Sequence, residues 1–327
     1  MLAMERDIDF DRDRRMRCGH CGLEFVADLE WIGRWEQGHE QCPGCGVDCQ
    51  EEDAPGVIAG PTDPVLDDAY ARRVFWYHTS TLPDWPAKDF DPAANITAET
   101  RSMMGGEARV AAWAARQRAK ALHVGTYEAA VHNMLRRMDD QGDCDNKFYL
   151  YRVHLRPTLT IRPGSIVDSS DGFGDVSLAR VCPSGEDAAR YANEHEDPGA
   201  ISLALHRGAI AEVQRIAIPL SNVVNGERER HVVETLISAS DVPVPAEGKL
   251  ARFLPPVSPR VRTARQVVKE LAQSLPVNLR NQFTSAAAFA EGIDPAQWAH
   301  RTIALTELIT LPDTVLTTLD EAEHRVV

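Results

Sequence analysis

Four cysteines constrain this chain more than any other feature. Cys18 and Cys21 form one Cys-x-x-Cys pair, Cys42 and Cys45 form another, and 20 residues lie between the pairs. A tight turn of this kind points two thiolates at one cation, and two such turns supply the tetrahedral sulfur shell that zinc takes in closed structural sites. Gly19, Gly22, Gly44 and Gly46 flank the sulfurs, where glycine permits positive φ and close approach of backbone amides. So short a segment cannot fold on its apolar core alone, so metal binding is expected to supply its folding free energy. The cysteine total is seven, an odd number, and the opening Met1–Asp7 turns acidic at once without a secretory core. Paired disulfides are therefore not expected. His20 and His39 lie close enough in sequence to replace a cysteine ligand, while Cys49, Cys144 and Cys182 are spare.

The segment from about residue 16 to 50 resembles the zinc ribbon family, and Cys42-Pro43-Gly44-Cys45-Gly46 is close to its usual second knuckle. Phe25, Trp31 and Trp35 are expected to form its small apolar cluster. The charge there is unusual for a module often used on nucleic acid. Residues 1–60 hold 14 acidic and 6 basic side chains, net −8 of the −14 carried by the whole chain of 327 residues. Gripping a phosphate backbone takes Lys and Arg that displace counterions, so a protein partner is expected in preference to nucleic acid.

Two breaks divide the chain. Residues 51–65 are acidic and rich in Pro and Gly, without periodicity, and read as a linker. A second linker is marked by Pro243, Pro245, Pro255, Pro256 and Pro259. The expected architecture is α+β: a four-cysteine zinc ribbon with its acidic linker over 1–60, a mixed α+β domain over 61–240, and a helical domain over 241–327. In the middle, Val74–His78, Leu122–Val124, Phe148–Leu155, Ile201–Leu205 and Gln214–Ile218 have the β-branched and aromatic content of strands. Glu107–Ala121, Tyr127–Met138 and Gly185–Glu194 read as helices, the second with Ala130, Met134 and Met138 on one face. Beyond Pro259 the expected helices are Val261–Ser274, Val277–Glu291, Pro295–Leu311 and Pro312–His324. Asp168–Asp175 superficially resembles a calcium loop but lacks the bidentate glutamate, so an ordinary loop is expected. No apolar run is long enough for a membrane span, and a cytoplasmic protein is expected.

Three motifs in the middle domain carry chemistry. Trp76-Tyr77-His78-Thr79-Ser80 is a strand ending in a histidine beside hydroxyl residues. Leu122-His123-Val124-Gly125-Thr126-Tyr127-Glu128-Ala129-Ala130 is a strand, a turn and a helix whose N-cap would be Thr126. Asn193-Glu194-His195-Glu196-Asp197 puts acids at a turn before the strand Ile201-Ser202-Leu203. In this order the motifs resemble the ADP-ribosyltransferase superfamily, over roughly residues 70–220. The resemblance implies that NAD⁺ lies in a cleft of two small sheets and that ADP-ribose passes to a macromolecular acceptor recognised through the ribbon. It implies that His78 hydrogen-bonds the cofactor ribose and that the backbone at Thr79, beside Ser80, reads the nicotinamide carboxamide; the free amides of the helix start at Thr126 would make a polar anchor for the cofactor. His123 stands where many members carry a stacking tyrosine, Thr79 where a glycine is usual, and Glu196 at the place of the acid.

The chemistry is coherent by itself. Breaking the nicotinamide–ribose bond builds positive charge on the ribose, which a fixed carboxylate stabilises more in the transition state than in the ground state. Glu194 and Glu212 are further candidates for that acid. A second function is open to the same residues: a non-catalytic zinc-ribbon protein that makes protein contacts on a scaffold with no turnover.

Overall fold

The computed structural model describes residues 4–140, 147–166, 176–242 and 257–327. An N-terminal cysteine-rich region is followed by a central mixed α+β region and a C-terminal helical region.

In the first, β1 (Arg14–Cys18) lies between β2 (Glu24–Ala27) and β3 (Pro55–Val57) in an antiparallel sheet. Along β1, Arg14, Met16 and Cys18 point inward and Arg15 and Arg17 outward, the period of two that a strand buried on one face requires. The helix α1 (Leu29–Glu36) starts on Asp28, whose carboxylate accepts from the Trp31 amide at 2.8 Å. Met16, Ala27, Ile32 and Val57 form the core, with Phe25, Trp31 and Trp35 packed against it, as expected for the three aromatics. The 51–65 stretch is no plain linker. Its Pro55–Val57 closes the free edge of β1, where a proline without an N–H is tolerated, and Pro64–Leu66 forms a 3-10 turn.

The central strands are β4 (Trp76–Ser80), β5 (Leu122–Val124), β6 (Phe148–Leu155), β7 (Ile161–Ile166), β8 (Ala188–Ala192), β9 (Ile201–Leu205) and β10 (Ile210–Ile218), and the chain closes with β11 (Arg325–Val326). They make two four-stranded sheets, ordered β11-β10-β6-β4 and β5-β9-β8-β7. The sheets meet where β4 and β5 touch: the Tyr77 amide donates to the Gly125 carbonyl at 2.9 Å, and the Gly125 amide donates to that of Tyr77 at 3.0 Å. Trp76, Trp85, Tyr151, Val153, Val124, Ile201 and Leu203 fill the space between them.

Short helices α2 (Asp68–Ala71), α3 (Ala98–Met103) and α4 (Glu107–Arg118) precede β5, and α5 (Tyr127–Asp140) follows it. Tyr127, Ala130, Val131, Met134, Leu135 and Met138 give α5 one apolar face. That face joins Phe148, Leu150, Ile216 and Ile218 of the first sheet to the C-terminal helices. After the single turn α6 (Leu178–Val181) these are α7 (Gly226–Ser238), α8 (Pro259–Gln273), α9 (Arg280–Ala286), α10 (Pro295–Thr310) and α11 (Pro312–Asp320). The helical region therefore shares its core with the first sheet.

Two helix expectations are corrected. Gly185–Glu194 contains the strand β8, whose Ala188, Ala189, Arg190 and Tyr191 are all buried; sheet context overrides helix propensity there. Val277–Glu291 is broken into a 3-10 turn, Val277–Leu279, and α9. Strand β7 and helix α7 are additions to the expected elements. The Asp168–Asp175 loop, Cys144 and the prolines from 243 to 256 lie outside the described residues. Among the described residues no helix is long and apolar enough to cross a membrane.

The lead-in before the cysteine-rich sheet also packs on the central region. Met4 bridges to Val74, Glu5 accepts from the Tyr77 hydroxyl at 2.7 Å, and Phe10 enters the core against Tyr127.

Candidate functional site

The Cys18 and Cys45 sulfurs are 3.8 Å apart and those of Cys21 and Cys42 are 3.6 Å apart. All four thiols lie within 4.8 Å of one another. A disulfide would bring sulfurs to about 2.0 Å, whereas zinc–sulfur bonds of about 2.3 Å give a tetrahedron with edges of about 3.8 Å. The donor set therefore fits a structural zinc ion. The two knuckles repeat one backbone pattern. Cys18 N–H donates to Leu23 and Gly22 N–H to Cys18, at 3.0 and 2.9 Å; Cys42 N–H donates to Val47 and Gly46 N–H to Cys42, both at 2.9 Å. Gly22 and Gly46 take φ of 73° and 74°, a conformation that side chains oppose. Cys49 accepts from the Glu40 amide and braces the second knuckle from outside the cluster.

At the junction of the sheets, the half-buried His78 projects between them and stacks on Trp85, with ring centroids 4.0 Å apart and planes inclined by 18°. Its Nδ1 lies 2.9 Å from the His123 carbonyl oxygen. A carbonyl only accepts, so Nδ1 carries the proton and Nε2 is left as an acceptor. Burial pushes the imidazole pKa down to about 3, so the ring is neutral at pH 7.

The side chains of the other expected residues point elsewhere. Thr79 is buried and donates to the Ala130 carbonyl of α5 at 3.0 Å, so it faces the helix and not the space between the sheets. The Ser80 hydroxyl accepts from the Leu82 amide at 3.1 Å and closes a turn. The His123 ring meets the Tyr191 hydroxyl at 3.0 Å through Nδ1, on the opposite face of β5 from Val124 because strand side chains alternate. Thr126 caps α5 as expected: it accepts from the Ala129 amide at 3.0 Å and donates to Asp197 at 2.6 Å.

Glu196 sits on the flank of α5. Its carboxylate accepts from Asn133 at 3.3 Å and Arg136 at 3.2 Å, and its carbonyl meets His132 Nδ1 at 2.6 Å. His78 and His123 thus touch through a ring and a backbone carbonyl, while Glu196, in the turn before β9, contacts the helix that covers the opposite face of β4 from His78. Glu212 is farther off, on β10 between His154 and His324.

Two residues of the third motif, to which sequence reasoning assigned no individual role, organise this region. Asp197 is buried and takes Arg12, Arg14 and Thr126 together. Asn193 accepts, through one oxygen, from the amides of His195, Glu196 and Asp197 at 3.0, 2.8 and 3.2 Å. The local signal was present in Asn193 and Asp197-Pro198, but the arginines lie more than 180 residues away. Trp85 was missed. No protein-family model, curated protein or solved structure matches the chain.

Proposed function

We propose that the protein is an NAD⁺-dependent, ADP-ribosyltransferase-like enzyme of the cytoplasm. It would cleave the nicotinamide–ribose bond and pass ADP-ribose to a macromolecular acceptor, a protein in preference to nucleic acid, with the zinc ribbon recognising the target. The observation carrying this reading is the junction of two small sheets at His78 and His123. There a neutral imidazole keeps Nε2 as an acceptor, the form that takes a ribose hydroxyl. Two rearrangements belong to the proposal. Trp85 has to leave the His78 ring before a cofactor can reach it, and Glu196 has to exchange Arg136 for the substrate.

Purified full-length protein with NAD⁺ should release nicotinamide or label itself. His78→Ala and Glu196→Gln are each expected to lower the rate about 100-fold or more. Wild type and Glu196→Gln giving equally flat traces would sink the enzyme.

A second reading is favoured by the commitment of Glu196 to α5 and the cover of Trp85 over His78. In it the protein turns nothing over, and the ribbon makes protein contacts. Its edge strand β2 exposes Val26, and the adjacent turn exposes Leu23. Calorimetry showing no NAD⁺ binding, together with one stoichiometric protein partner, would select this reading.

A further inference from the structure

The far edge of the first sheet brings together three side chains used by neither the ribbon nor the junction. His154 on β6 and Glu212 on β10 are register partners beside a bulge between Ile210 and Glu212. Pairing of β11 with β10 carries His324 to the same place. His154 Nδ1 is 3.3 Å and His324 Nδ1 is 3.0 Å from Glu212 Oε1. One ligand atom from each of the three residues falls within a 4.8 Å set. Tetrahedral zinc with bonds of about 2.0–2.1 Å to nitrogen and oxygen has ligand–ligand edges of about 3.3 Å, close to these separations.

The hydrogen bonding of His154 is a second, independent observation. Gln214 Nε2 donates to the Leu319 carbonyl at 2.7 Å, and Gln214 Oε1 accepts from Arg152 Nε at 2.9 Å. A carbonyl cannot donate and a guanidinium cannot accept, so neighbours dictate the orientation of this amide. Oε1 is therefore an acceptor, and His154 Nε2, 3.2 Å from it, has to be the donor. Nδ1 is then the nitrogen left to face Glu212 Oε1, 3.3 Å away, and a cation, a proton or a metal ion, joins the two. An outer nitrogen donating to a fixed acceptor is how proteins orient histidines that bind metal through the inner one.

The geometry points to a divalent transition-metal site of the zinc class, held by His154 Nδ1, Glu212 and His324 Nδ1, with a fourth position open to water or an outside ligand. Two imidazoles and one carboxylate suit such a cation. The His324 side chain is half exposed, which leaves an entry path. Because His324 adjoins β11, the bound ion would clamp the last residues onto β10.

The test uses the full chain, free of affinity histidines, with its cysteine cluster already holding one equivalent of zinc. Calorimetric titration with Zn²⁺ is expected to show one further equivalent per chain. His324→Ala and Glu212→Gln should each weaken it at least about tenfold, with the first equivalent retained and the circular dichroism unchanged. Hydrogen exchange at Arg325 and Val326 should slow on adding zinc in wild type but not in His324→Ala. The absence of a saturable second equivalent would overturn the site, as would a His324→Ala titration equal to wild type. So would imidazole NMR showing that His154 carries protons on both nitrogens at pH 7 in excess zinc.

Discussion

Asp197 shows how much one side chain can organise here. It is buried, and it neutralises Arg14, itself 4% exposed, besides Arg12 and the hydroxyl that caps α5. Removing its carboxylate strands a buried guanidinium, which typically costs about 3–5 kcal/mol. Asp197→Ala should therefore lower the unfolding free energy in urea by about that amount. Arg12→Ala, at a side chain 32% exposed, should cost less. His78 sets a pH dependence. Its folded pKa of about 3 lies below the ordinary value of 6.5, so the unfolded chain binds a proton that the folded chain refuses. The contribution is full above pH 6.5 and is lost as pH falls toward 3, with a slope of at most about 1.4 kcal/mol per pH unit. The difference in melting temperature between wild type and His78→Asn should narrow steadily from pH 7 to pH 4. A constant difference would contradict a neutral, buried imidazole.

Elements differ in how much of them could be read from nearby residues. The cysteine knuckles were legible because each is a five-residue pattern with its own glycines. The helix α5 was legible from its Thr126 cap and its apolar face. The strand β8 was not, because Glu186, Asp187, Arg190 and Glu194 look like the polar side of a helix. Arg190 is instead buried and answered by Asp68 and the Val65 carbonyl, more than 120 residues earlier. The candidate site divides the same way. Thr126 capping was visible locally, but the faces on which His123 and Glu196 lie depend on Tyr191 and α5, set by pairing across the chain. The cysteine-rich region, with four buried apolar residues in its core, should depend on a metal at its four cysteines. Chelation or Cys42→Ser should abolish exchange protection at the Cys18 and Cys42 amides while β6 and β10 stay protected. Retained protection at those amides would mean that the cysteine-rich region folds without metal.

For the whole molecule, the shared core of the first sheet and the C-terminal helices predicts one cooperative unit. Hydrogen exchange at β6 and at α10 should give coincident transitions in urea; earlier loss of α10 would show a separable helical domain. Connectivity adds a consequence for the cysteine-rich region. The chain enters it from a lead-in pinned to Val74 and Tyr77, and on leaving passes close to Gly199 before the Pro64–Leu66 turn, where Val65 accepts from Arg190. A module tied at one end explores a volume, and what it captures is presented at an effective concentration set by tether length. One fixed at entry and exit explores almost none. Anything bound to the cysteine-rich region would be held at a single bearing, as in a jig and not on a leash.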